Sequence, residues 1–167
     1  PIGKITAGIG ELAPRLGRGA EADAAAAGAI MTTDLAAKLA SARGELRDGT
    51  SYHIGGIAKG AGMIAPNMAT MLAFVTTDVA IEPGLLKRAL RRAVDATLNR
   101  MSIDSDTSTS DMVLILAGGA AENVPIAGED EDYELFAESL TMLCGELAEQ
   151  IVRDGEGATK LIRVYVE

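Results

Sequence analysis

Three parts of the chain carry residues able to do chemistry. The first is the run Gly55-Gly56-Ile57-Ala58-Lys59-Gly60-Ala61-Gly62, which leads through Pro66-Asn67 to Thr70. Its Gly60-x-Gly62-x-x-Ala65 spacing follows the loose form of a dinucleotide-binding loop. Pro66 and an apolar run come next, so no helix N-terminus is available to hold a pyrophosphate, and the Lys-Ser/Thr pair of a P-loop is absent. A structural or a different catalytic role fits better. The second part is Asp104, Asp106 and Asp111 around Thr107-Ser108-Thr109, an array of oxygens that a calcium ion could use. Counted from Asp104, Thr109 stands where an EF-hand needs glycine and Ile115 where it needs a bidentate glutamate. These side chains read instead as acceptors for turn backbone. The third part is His53, the single histidine, which has no second imidazole for a metal site and reads as a hydrogen-bonded structural residue.

The elements that position these residues follow from periodicity and punctuation. Ala20 to Ile30 is an alanine-rich helix with Glu21 and Asp23 near its start, ending near Gly28. Asp48-Gly49 marks a hairpin in preference to a helix over residues 31–50, with Ser51 to Ala58 as the return strand. Met71 to Asp78 reads as a strand buried on both faces. Pro83 opens a helix striped by Leu86, Leu90, Ala93, Thr97 and Met101. Met112 to Ala117 is a second buried strand, and Phe136, Leu140, Leu143, Leu147 and Ile151 stripe a second long helix. Glu129 to Asp132 sits before that helix, where the dipole favours acids. Leu161 to Val166 alternates like a final strand. This order implies a layered α/β or α+β fold, not a bundle or a sandwich.

Composition narrows the function classes. The 167 residues suit one domain or a piece of a larger protein, and 48% hydrophobic with 23% charged residues is a folded composition. Fifteen basic against 24 acidic side chains give a formal charge of −9, which repels phosphate backbones and anionic membranes, so no nucleic-acid or membrane partner is expected. No apolar run is long enough to span a bilayer. A lone Cys144 and the absence of an apolar signal region suggest a reducing cytoplasm.

The segment from Lys59 to Phe74, with its lysine, glycine-rich turn, Pro66-Asn67 and Ala69-Thr70-Met71-Leu72, closely resembles the ornithine acetyltransferases (glutamate N-acetyltransferases) of arginine biosynthesis. Ile30-Met31-Thr32-Thr33-Asp34, Thr76-Thr77-Asp78, Ile103 to Thr109 and Asp154-Gly155-Glu156-Gly157-Ala158-Thr159-Lys160 match in the family's order, so the resemblance covers essentially the whole chain. It implies an N-terminal-nucleophile-like α+β fold. It also implies self-cleavage between Ala69 and Thr70, so that 1–69 ends one chain and 70–167 begins the other. Thr70 becomes the nucleophile, and its own freed α-amino group, with an ordinary pKa of about 7.7 to 8.0, becomes its base.

The family passes acetyl from N-acetylornithine to the threonine and then to glutamate, by a ping-pong route. By the same resemblance Lys59 binds substrate carboxylate and Glu156 faces the amino end of ornithine. Thr33 adds a contact, with Thr32 as its alternative. The resemblance calls for no metal and no cofactor, admits acetyl-CoA as a co-substrate, and implies an α2β2-type heterotetramer. The Thr-Gly pair of the family's oxyanion hole does not occur in these residues, nor do its C-terminal Asn and Thr or Ser. The chain therefore reads as the middle of a longer protein, poorly active alone. Ser105 and Ser110 stand where the family usually has glycine and asparagine. The competing reading, of a different class, is a non-catalytic binding domain that keeps the fold.

Overall fold

The hairpin expected around Asp48-Gly49 forms in a computed structural model that describes residues 1–65, 71–106 and 108–165 and the backbone of Met68 and Ala69. Strand β1 (Lys38–Glu45) pairs antiparallel with β2 (Ser51–Lys59), from Lys38 opposite Ala58 to Glu45 opposite Ser51. Gly49 takes φ +85°, which costs a glycine little, and Asp48 accepts the Thr50 N–H at 2.8 Å. Strand β5 (Leu72–Thr77) lies antiparallel on the other side of β2, and β6 (Met112–Ala117) lies parallel to β5. The four-stranded sheet thus runs β1-β2-β5-β6. Between β2 and β5 the chain makes an excursion containing the short antiparallel pair β3 (Ile64–Ala65) and β4 (Met68–Ala69).

Among the described residues four α-helices complete the fold. Helices α1 (Ile2–Leu12) and α2 (Ala20–Ala29) precede the sheet; α3 (Pro83–Ala96) connects β5 to β6, and α4 (Glu131–Arg153) follows. Pro83 sits in the first turn of α3, where a missing N–H costs nothing. Asp130 caps α4 by accepting the Tyr133 N–H at 3.0 Å, and Glu131, Asp132 and Glu134 occupy its first turn, as the acidic run suggests.

The core lies between α3 and α4 and one face of the sheet. Phe136, Leu140, Leu143, Leu147 and Ile151 are buried on α4 as their spacing predicts, against Tyr52, Ile54, Ala58, Ala73 and Val75. Each such large side chain contributes roughly 1.5 to 3 kcal/mol of burial. Gly56 permits this approach: a Cβ there would stand 3.0 Å from both Leu143 Cδ2 and Leu147 Cδ1.

The structure corrects several expectations. Strand β5 is buried on one face only, because both long helices cover the same side of the sheet, and Thr76 is exposed opposite. Strand β6 is not a buried strand but an edge, with Met112, Leu114 and Leu116 exposed and Val113 and Ile115 packed inward. Helix α3 ends at Ala96 before Thr97 and Met101, a 3-10 turn follows at Leu98–Arg100, and its buried stripe is Leu85, Ala89 and Ala93, with Leu86 and Leu90 half-buried beside it. Residues 161–165 form no strand, and Val166 lies outside the described residues. Helix α1 was not expected; its Ile2, Ile5, Ile9 and Leu12 recur at helical spacing but are all exposed. Among the described residues no helix is long and apolar enough to cross a membrane.

Candidate active site

Of the residues singled out by sequence, Lys59, Thr32 and Glu156 lie around the end of β2 and the glycine turn that follows it. Lys59 closes β2 and pairs in register with Leu72, two residues beyond Thr70, while Leu72 in turn pairs with Met112 of β6. The Lys59 side chain is only 8% exposed, and its ammonium donates to Thr32 Oγ1 at 3.2 Å. Thr33, next to Thr32 in the chain, is exposed. Of the two candidate threonines, Thr32 is the one that meets Lys59. Ala69 pairs with Ile64 through β4, and Thr70 itself lies outside the described residues.

A buried charge cluster fixes the loop that carries Thr32. Asp34 accepts the Gly60 N–H at 2.7 Å, the Thr32 N–H at 3.1 Å and the Lys38 ammonium at 2.6 Å. It therefore ties the backbone immediately after Lys59 to the backbone of Thr32. Burial pushes the Asp34 carboxyl up, but hydrogen bonds from Lys38, Gly60 and Thr32 outweigh it and hold the pKa at about 2. Lys38 also donates to Asp154 at the C-terminal end of α4, and Asp154 accepts the Leu35 N–H at 3.0 Å. Helix α4 is thereby anchored to the Thr32 loop two residues before Glu156.

Glu156 lies across the glycine turn. Its N–H donates to the Ala61 carbonyl at 2.6 Å, and a Cβ placed on Gly62 would stand 2.8 Å from Glu156 Oε2. Only glycine lets this carboxylate rest against the turn. Met63 follows with φ +56°, and Asp104 holds that strained step by accepting the Met63 and Ile64 N–H groups, the latter at 3.0 Å. Burial raises the Asp104 pKa, yet backbone hydrogen bonds from Asp106, Met63 and Ile64 leave it lowered. Asp104 thus bonds to turn backbone, as the sequence suggests, and Asp106 donates its own N–H to it at 3.1 Å. Asp111 does the same on the other side of Thr70, accepting the Met71 N–H at 2.9 Å. His53 sits on the exposed face of β2 with Nδ1 3.1 Å from Asp78 Oδ2, a hydrogen-bonded histidine remote from this turn.

The sequence motifs point to Lys59, Glu156 and the threonine pair as candidates, and not to the residues the structure packs around them, Asp34, Lys38 and Asp154. The acids belong to the quoted Met31-Thr32-Thr33-Asp34 and Asp154-Gly155-Glu156 runs, so proximity to the candidate positions was the available signal. Lys38 gave none, because a lysine at a strand start is ordinarily exposed. Grooves of about 490 and 530 Å³ lie elsewhere, one along residues 158–165 and one on the open face of the sheet, and neither is lined by Lys59 or Glu156. Among the described residues no group of three or more His, Cys, Asp and Glu side chains is arranged to hold a metal ion.

A model of the ArgJ family matches residues 1–167. The chain is 50% identical over 167 residues to the arginine biosynthesis bifunctional protein ArgJ of Symbiobacterium thermophilum, covering all of this chain and 41% of that protein. It is 49% identical over 166 residues to that of Geobacillus kaustophilus, covering 99% of this chain and 40% of the relative. The crystal structure of the Bacillus halodurans ArgJ protein superposes with a TM-score of 0.50 at 49% identity, over 52% of this chain and 41% of that one. The PH0078 protein of Pyrococcus horikoshii shares the fold at 14% identity and TM-score 0.50, over 72% of this chain and 40% of its own. The chain spans about two fifths of the length of these ArgJ relatives. Matched along its whole length by the family model and by members at half identity, the chain belongs to the ArgJ family.

Proposed function

We propose that the protein carrying these residues is a cytoplasmic acetyltransferase of arginine biosynthesis that moves acetyl from N-acetylornithine to glutamate through an acetyl-Thr70 intermediate. It first cuts itself. The Thr70 hydroxyl adds to the Ala69 carbonyl carbon, the C–N bond breaks as the nitrogen takes up a proton, and water opens the resulting ester to leave the Ala69 carboxylate and a free Thr70 α-amine. Residues 1–69 and 70–167 then belong to two chains of an N-terminal-nucleophile-like fold, assembled as an α2β2-type heterotetramer.

In turnover the α-amine takes the hydroxyl proton while Oγ adds to the acetyl carbonyl. The tetrahedral intermediate collapses, the proton goes to the departing amine, and ornithine leaves. The α-amine of glutamate then attacks the threonine ester and carries the acetyl group away. Acetyl-CoA is the second acetyl donor this chemistry admits, because a thioester presents the same carbonyl to the same nucleophile. Lys59 pairs with the substrate α-carboxylate and Glu156 with the side-chain ammonium of ornithine. Thr33 contributes a further contact, with Thr32 already bonded to Lys59 at 3.2 Å.

The observation that carries this reading is that a buried lysine and a glutamate of opposite charge flank one glycine turn, and that this turn leads directly to Ala69-Thr70. The test is formation of N-acetylglutamate from N-acetylornithine and glutamate by the intact protein. Lys59→Ala and Glu156→Ala should each lower kcat/KM by the equivalent of about 1.5 to 3 kcal/mol, the worth of a charge-assisted hydrogen bond. Parental constants in both variants would refute the assignment of these two residues.

A further inference from the structure

Buried lysines are rare, and Lys38 is one whose three donors are all engaged. Its side chain is 2% exposed, and its ammonium donates to Asp34 at 2.6 Å, to the Ala36 carbonyl at 3.1 Å and to Asp154. The Asp34 side chain is fully buried and that of Asp154 is 10% exposed. Taking three charges out of water costs about as much as their mutual attraction returns, so such a cluster adds little net stability. What it does supply is geometry, because an ammonium with every donor taken holds its partners in one arrangement.

The cluster closes a ring around the glycine turn. Asp34 accepts the N–H of Gly60, the residue after Lys59, at 2.7 Å. Lys38 joins Asp34 to Asp154 at the end of α4. Gly155 comes next and is buried against Ile103, where a Cβ would stand 3.1 Å from Ile103 Cγ2 and 3.2 Å from the Val152 carbonyl oxygen, so the step from Asp154 to Glu156 has no room to shift. The Glu156 N–H then donates to the Ala61 carbonyl at 2.6 Å, and Ala61 is the neighbour of Gly60. Each link of this ring is a covalent bond, a hydrogen bond or an ion pair, which holds the backbone of Lys59 and the backbone of Glu156 at one separation. Removing the Asp154 carboxylate opens the ring on the side of α4.

Resting on the reading of Lys59 and Glu156 as contacts for the two charged ends of one substrate, we propose that Lys38 and Asp154 are specificity-determining positioning residues: their buried strut fixes the span between the Lys59 ammonium and the Glu156 carboxylate, and so selects amino-acid donors by the length of the side chain. Neither residue needs to touch the substrate, because each acts through the backbone it holds. A donor whose ammonium stands one methylene nearer to its carboxylate, or one farther, leaves one of the two charges unpaired. A single methylene is worth about 10- to 200-fold in a site that measures it.

The test is the ratio of kcat/KM for N-acetylornithine to that for the α-N-acetyl derivatives of lysine and diaminobutyrate, one methylene longer and one shorter, in the intact protein. Asp154→Ala cuts the strut at α4 and leaves the Asp34–Lys38 pair in place, so the ratio should fall by about tenfold or more, through a raised KM for N-acetylornithine. Asp154→Asn, which keeps an acceptor for Lys38 and Leu35, should restore most of the parental ratio. Gln150→Ala is the structural control. Its amide also ties α4 to β1, accepting the Leu39 N–H at 3.1 Å and donating to the Leu39 carbonyl at 2.8 Å, and its loss should lower Tm with the ratio unchanged. A folded Asp154→Ala protein with the parental ratio overturns the proposal, as does an equal fall in Gln150→Ala. Should Asp154→Ala not fold, Asp154→Ser, with a hydroxyl for Leu35 that stops short of Lys38, is read in the same way. Glu156→Ala separates the strut from its premise: if it keeps the parental ratio, the reading of Glu156 fails, whereas a lost ratio there beside a parental one in Asp154→Ala overturns the strut alone.

Discussion

Replacing Asp34 by asparagine tests whether the buried charge cluster holds the loop that carries Thr32. In the native protein the Asp34 carboxyl has a pKa of about 2 against an ordinary 3.8, and its side chain is fully buried beside Lys38. A fall of nearly two units corresponds to about 2 to 3 kcal/mol of stability. Because the folded-state pKa is lowered, that contribution is fully present above about pH 5, is about halved at pH 3, and is lost as pH falls through 2. Asparagine still offers one acceptor to the Gly60 or Thr32 N–H but leaves Lys38 with Asp154 as its remaining carboxylate. Breaking a buried pair typically costs about 3 to 5 kcal/mol, and the surviving Asp154 should keep the loss near the lower end. Urea unfolding of the intact protein at pH 7 should thus show Asp34→Asn destabilised by about 2 to 4 kcal/mol, with the gap narrowing to about half at pH 3. A loss under about 0.5 kcal/mol, or a gap independent of pH, would refute the electrostatic account of this loop.

Gly62→Ala should leave the fold intact, since Gly62 lacks a positive φ and the crowded atom is the far end of a flexible side chain. It should displace the Glu156 carboxylate and raise KM for N-acetylornithine, measured by steady-state kinetics at unchanged Tm. Ser105→Gly should stabilise the protein by about 0.5 to 1 kcal/mol in thermal unfolding, because Ser105 adopts φ +66°, a region that favours glycine. Burial pushes the Cys144 thiol up to about 12, so iodoacetamide should label it at neutral pH only after denaturation.

The hairpin and α4 were legible because their signals are local: Asp48-Gly49 admits few turns, and the Phe136 to Ile151 stripe has one helical period. Strand β6 misled because an apolar run reads alike whether one face or both are covered, and only the placement of α3 and α4 on the same side decides it. The final segment alternates like a strand, yet alternation cannot supply a partner to pair with. In the site, Lys59 and Glu156 were visible as members of motifs. The link between them through Asp34, Lys38 and Asp154 was not, because it joins residues 116 positions apart that meet only when α4 packs across β1 and β2. Ser105, where the family usually has glycine, proved the more informative departure, since its backbone adopts the conformation that glycine would take without strain.

The central claim, that Thr70 is the acetyl-carrying nucleophile released by self-cleavage, is tested most directly by the intact mass of the protein with N-acetylornithine present and glutamate absent. The account predicts two chains divided between Ala69 and Thr70, with one acetyl group added to the chain that begins at Thr70 and removed when glutamate is supplied. An uncut, unacetylated protein that nevertheless forms N-acetylglutamate would contradict it.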